Sequence, residues 1–258
     1  MSIERIISVF GGLSADIDWS LQLLKITNSK KTGTQYSCRQ ISLEPASRLN
    51  EFVNDMVKKY TGAGKGSLSS FQKVMDYDGT ADGLVIYKLD KNSTLISQEY
   101  QALVTAIANP DVEADATAFT SAYVIKGVTV IGEDEVPIKL ISMQNPITTL
   151  KHKFLHSAGS FTEITGPILS LRSSVDVIII DGTIYFLSLA GENLFNMSRA
   201  YKAVCHEAVG QVEQAGFVSR VESFRATAES GHNPRRFVSF SSDRVEALKN
   251  TNKRKAMA

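Results

Sequence analysis

Strand-forming residues dominate two runs near the start of this chain, Trp19–Ile26 and Gln35–Leu43, and a polar turn, Asn28–Gly33, separates them; the pattern predicts a hairpin. From Leu49 the period lengthens. Leu49, Phe52, Val53, Met56, Val57 and Tyr60 recur at steps of three and four, which places them on one face of a helix. Pro45 suits the first position of that helix, and Gly62, Gly64 and Gly66 end it. Leu84–Leu89 predicts a strand turning near Lys91–Asn92. Tyr100, Leu103, Val104, Ile107 and Ala108 predict a second amphipathic helix, stopped at Asn109–Pro110 because the proline ring disfavours helical backbone in the residue before it. Ala122–Ile131 and Val136–Met143 read as two strands about the acidic turn Gly132–Glu135.

The pattern breaks at Asn145–Pro146, so a boundary is expected between there and Ser157–Ser160. Beyond it, Val175–Asp181 and Thr183–Ser188 are apolar strands joined at Asp181–Gly182, a pair that favours tight type I′ hairpins. Leu194, Met197, Tyr201, Val204, Cys205, Ala208, Val212 and Ala215 then share a helical face, with Gly216 at the position that closes the helix. Asn196 or Ser198 is placed to cap a new helix inside that region. A short strand is expected at Arg236–Phe240, followed by a last helix from Ser242 or Asp243 through Leu248 into Lys253-Arg254-Lys255. Antiparallel hairpins alternating with helices predict an α+β fold, a mixed and largely antiparallel sheet with packed helices. As one or two subdomains this divides into residues 1–150 and residues 151–258, the latter comprising the hairpin 175–188, the helical segment 189–216 and a basic C-terminal helix.

Composition adds limits. With 43% apolar and 21% charged residues over 258 positions, the chain can bury a substantial core. A formal net charge of +1 means that any nucleic-acid site must be a local patch. Cys38 and Cys205 stand far apart, which favours a reducing compartment over a disulfide framework. The first residues lack the apolar core and cleavage site of a leader, and the apolar run Val177–Ile180 is far short of the roughly 20 residues that span a bilayer.

Several motifs touch on chemistry without completing it. Gly62–Ser67 has the glycines and lysine of a phosphate loop, but Lys59 stands where the first glycine belongs and Gly66 where the magnesium-binding hydroxyl belongs. His152 and His156 have the spacing of a zinc helix, yet Lys153 replaces the glutamate base. Cys205-His206-Glu207 would diverge around a helix, and Cys205 fits its apolar face. Asp76-Tyr77-Asp78-Gly79-Thr80 resembles the opening motif of haloacid-dehalogenase-type phosphatases, in which two aspartates flank a magnesium ion beyond a strand. Phe71–Met75 reads as a helix end rather than the apolar strand such chemistry needs. A magnesium-dependent phosphatase-like hydrolase using Asp76 and Asp78 therefore stands as the alternative to a non-enzymatic protein that needs no cofactor and no metal. Basic clusters are the remaining signal: Arg235, Arg236, Arg244, Lys249, Lys253, Arg254 and Lys255, with Lys151 and Lys153, are the candidate DNA contacts, and Lys30–Lys31 is a smaller focus.

The stretch Val175–Ser188, followed by Asn193-Leu194-Phe195-Asn196 and Tyr201, resembles the KwaB-like proteins of the Kiwa anti-phage system. There an aspartate, an apolar strand, a turn and an aromatic strand lead to a Phe-centred helix start with a tyrosine a few residues on. The strands from about Leu84 onward fit the same layout. The motif offers no catalytic residue. The resemblance implies a cytoplasmic, DNA-binding defence effector held at the inner membrane by a small multi-span partner, KwaA. It also implies self-association as a homodimer or higher homo-oligomer, interference with phage replication or transcription, and a chain that continues past residue 258.

Overall fold

The structure, a computed structural model, describes residues 3–238 apart from 14–16, 30, 32, 65, 81, 132–133, 149–152, 158, 217 and 232. In chain order the elements are α1 (Ile3–Gly11), β1 (Ser20–Ser29), β2 (Gly33–Ile41), α2 (Ser47–Thr61), β3 (Lys73–Asp76), β4 (Val85–Asp90) and α3 (Ser97–Ala108). Then come β5 (Ala122–Ile131), β6 (Asp134–Ser142), β7 (Ile147–Thr148), β8 (Lys153–Ser157), β9 (Ser160–Ile164), β10 (Ile168–Leu169), β11 (Val177–Ile180) and β12 (Thr183–Phe186). A 3-10 segment, Leu189–Phe195, leads into α4 (Met197–Gln214), α5 (Val221–Ala228) and a second 3-10 segment, Asn233–Phe237.

Eight strands form one sheet in the order β2-β1-β5-β6-β11-β12-β4-β3. Every pairing in it is antiparallel except β3 with β4. This is the α+β architecture read from the pattern. The hairpin β11–β12 sits between β6 and β4, so residues beyond 150 occupy the middle of a sheet begun by residues before 150. That position explains the unbroken run Val177–Ile180: a central strand covered on both faces has no polar side. Asp181 and Gly182 both have positive φ, 45° and 74°, the geometry a type I′ turn requires.

Helices cover both faces. On one, α1 and α2 pack over Leu21, Leu23, Tyr123, Ile138, Leu140, Ile178 and Tyr185. On the other, α3, the Leu189–Phe195 segment and the start of α4 pack over Leu24, Val124, Ile141, Val177, Ile179, Ile184 and Phe186. Tyr60 of α2 joins the early and late parts of the chain. Its hydroxyl accepts from Val175 N at 2.7 Å and donates to Val175 O at 3.2 Å. Asp176 secures the entry to β11: its carboxylate accepts from Met143 N at 2.7 Å and from Ser188 Oγ.

Some elements differ from expectation. Lys73–Asp76, overlapping the segment Phe71–Met75 read as a helix end, is an edge strand; parallel pairing with β4 outweighs its weak local pattern. The expected strand at Arg236–Phe240 is a 3-10 turn as far as Phe237, because Pro234 is buried and Phe237 packs beside Cys205, Val209 and Ala228. Residues 239–240 and the expected last helix lie outside the described residues. α1 was not anticipated, although Ile3, Ile6, Val9 and Phe10 form its buried stripe. Nor was the hairpin β8–β9, which places His156 on a strand with its ring 4.8 Å from that of Phe161.

Candidate functional site

Two cavities open beside the first turns of α4. The larger, about 530 Å³, has Glu192, Tyr201 and Arg235 among its lining groups, with Leu189, Asn193, Ser198 and Lys202 around them. The smaller, about 210 Å³ and polar, lies between the β1–β2 turn and the N-terminal ends of α3 and α4; Lys31, Thr34, Gln98, Glu99 and Arg199 line it. Arg199 and Lys202 are one turn apart on α4, so each cavity receives one of them. No side chain caps the first turn of α4. Asn196 occupies the cap position in a left-handed conformation, its side-chain nitrogen donates to Thr34 Oγ1 at 3.2 Å, and the anticipated side-chain cap is not made. A helix N-terminus carrying two cations favours phosphate.

Beside the larger cavity lies a closed polar network. Tyr77 Oη donates to Glu192 Oε1 at 2.8 Å and accepts from Arg235 Nε at 3.2 Å. Its one proton being so used, the very short contact with Tyr201 Oη has Tyr201 as donor. Arg235 Nη2 also donates to Glu192 Oε1 and, at 2.9 Å, to the carbonyl of Thr80. The Arg235 and Glu192 side chains are only 15% and 14% exposed. Burial, with Glu192 nearby, raises both tyrosines well above the usual phenol range, so the hydroxyls stay protonated and act as fixed dipoles. The Tyr77 ring packs among those of Tyr87, Phe186 and Tyr201.

This network accounts for the acidic motif. Asp78 accepts from Thr80 N at 2.9 Å and Thr80 Oγ1 at 2.7 Å, forming a turn that presents the Thr80 carbonyl to Arg235. Asp76 is 91% exposed and pairs with Lys88 at 3.2 Å. The two carboxylates share no partner, and β3 is an exposed edge rather than a buried strand. No group of three or more His, Cys, Asp or Glu side chains among the described residues is arranged to hold a metal ion. Cys205 is a core residue, its thiol donating to Ala228 O at 3.4 Å.

The basic candidates separate. The Arg235 guanidinium is mostly buried and engaged through Nε and Nη2, whereas Arg236 beside it is exposed. Lys153 lies on β8, its amine donating to the Gly166 carbonyl. Lys151, Arg244, Lys249, Lys253, Arg254 and Lys255 lie outside the described residues. Arg199 and Lys202 were missed; the available signal was a basic pair three residues apart just after a predicted helix start.

Among known proteins, the family described as Kiwa protein KwaB-like matches residues 138–256. The match takes in β11–β12, Glu192, Arg199, Tyr201, Lys202 and Arg235, and it bears out the resemblance carried by the Val175–Ser188 hairpin. It supports a role in Kiwa anti-phage defence. No curated protein and no solved structure matches the chain.

Proposed function

Proceeding from the match of residues 138–256 to the family described as Kiwa protein KwaB-like, we propose that the chain is a Kiwa defence protein of that kind, that it binds DNA and that it acts with a membrane partner to hinder phage replication or transcription. The observation that carries the DNA reading is the pair of cavities beside α4, where Arg199 and Lys202 face outward from a helix start without a side-chain cap and Lys31 stands opposite Arg199. Glu99 is the acid in the smaller cavity, and Glu192 in the larger is already matched by Arg235, so cations prevail overall. Contacts of this kind hold phosphates and release counterions without reading sequence.

Fluorescence anisotropy with labelled duplexes tests this reading. Wild-type affinity should fall steeply with salt for every sequence. The double reversal Arg199→Glu/Lys202→Glu should weaken binding roughly 10- to 100-fold on all duplexes and flatten the salt slope by about two. A folded wild type that does not bind at low salt, or a double variant that binds like wild type, would end it. Reversal of Lys253, Arg254 and Lys255 measures the share of the basic stretch separately.

No helix among the described residues is long and apolar enough to cross a membrane. In this reading a KwaA-like partner holds the protein at the cytoplasmic side of the inner membrane, and the protein itself assembles as a homo-oligomer. We assign the self-association contact to β8–β9. This two-stranded hairpin stands outside the large sheet and exposes Phe154, Leu155 and, at 71%, Phe161. An isolated hairpin is marginal in water, and a second copy would cover both its edge and its rings. Phe154→Ser/Phe161→Ser should shift the protein to monomer in light scattering at unchanged thermal stability; an unchanged mass would remove the assignment.

A further inference from the structure

We infer that a third cavity, over the middle of the β5–β6 pairing, is a binding site for a small organic anion, its charged group held by Lys126 and Lys139. The two lysines are direct partners in the β5–β6 register, so their side chains leave neighbouring positions on the same face of the sheet. Both line a cavity of about 340 Å³ whose other walls include Val128, Pro137 and Ile138.

Like charges placed opposite each other on paired strands repel, and no carboxylate among the described residues pairs with either amine. The Lys126 amine donates to the Ile107 carbonyl in the last turn of α3, at 3.2 Å, a favourable place for a cation. Lys139 has no carboxylate and no hydrogen-bond acceptor among the described residues. Asp18 lines the cavity mouth but is exposed and pairs with neither amine. Burial and the charge of Lys126 hold the Lys139 ammonium below the usual lysine range, as expected of a cation whose counter-charge is missing. A half-buried, unmatched ammonium is costly unless an anion meets it. The apolar wall beyond the amines selects the rest of the ligand: a compact hydrophobic body bearing one carboxylate or phosphate.

The site is separate from the proposed DNA surface and stands without it. Calorimetry on the full chain uses benzoate as the probe with both features, inorganic phosphate as the headgroup alone and benzamide as the uncharged control. Benzoate should bind saturably, phosphate more weakly and benzamide not at all. Lys126→Met and Lys139→Met, which keep side-chain length and remove the charge, should each weaken benzoate at least tenfold. Arg199→Glu/Lys202→Glu should bind it like wild type. Lys139→Met should melt no lower than wild type, since it removes an unmatched charge. No saturable benzoate binding by the folded wild type, equal binding by benzamide, undiminished binding by Lys139→Met, or a lowered melting temperature for that variant would each overturn the inference.

Discussion

Arg235→Ala should destabilise the protein by roughly 2–4 kcal/mol, lowering the melting temperature by about 6–12 °C for a chain of this size. The alanine leaves Glu192 nearly buried without its counter-charge and removes the donors to Tyr77 and the Thr80 carbonyl. Truncating one member of a buried pair costs more than the pair is worth, because the remaining charge keeps its desolvation penalty. Glu192→Gln should therefore also destabilise, and Glu192→Leu/Arg235→Met should recover much of the loss. Denaturant titration of wild type, Glu192→Leu, Arg235→Met and Glu192→Leu/Arg235→Met gives the coupling. Single variants within about 0.5 kcal/mol of wild type would mean that the network adds little to stability.

Gly79→Ala should have a comparable effect, roughly 2–4 kcal/mol, by a different route. Gly79 has φ of 82°, which a side chain resists, and a Cβ there would lie 2.2 Å from the Arg235 carbonyl oxygen and 3.0 Å from Val238 Cβ. Backbone cannot yield as a flexible side chain can. The variant should displace the Asn233–Phe237 segment while the sheet stays intact. Hydrogen exchange mapped by mass spectrometry would then show lost protection around residues 233–238 and unchanged protection in β11 and β12. Wild-type exchange throughout would refute the close contact.

The two variants test one arrangement from both sides. The turn Asp76–Thr80 looks catalytic in one dimension because two carboxylates stand two apart beside a glycine and a threonine. In three dimensions Asp78 shapes the turn, Gly79 lets the Arg235 backbone approach, and the Thr80 carbonyl receives the guanidinium. Arg235 was legible as a surface cation and is instead an internal one. Tyr201 was legible as a packing residue and proves also to be a donor in the same network.

Local order was well encoded. The helix faces at Leu49–Tyr60 and Tyr100–Ile107, the β1–β2 and β5–β6 strand pairs and the Asp181–Gly182 turn follow from period and from turn chemistry, which neighbouring residues decide among themselves. The α+β class follows from their sequence, and the KwaB-like signature lies in one such hairpin. What period cannot express is the partner of a charge. Arg235 meets Glu192 across 43 residues and Tyr77 across 158, distances closed only because β11–β12 enters the sheet between β6 and β4. Arg199 and Lys31 come to one cavity for the same reason, the order of strands and the helices laid over them. The amino-acid pattern determined which faces of this protein are apolar; burial against distant elements decided which of its charges remain free to meet a ligand.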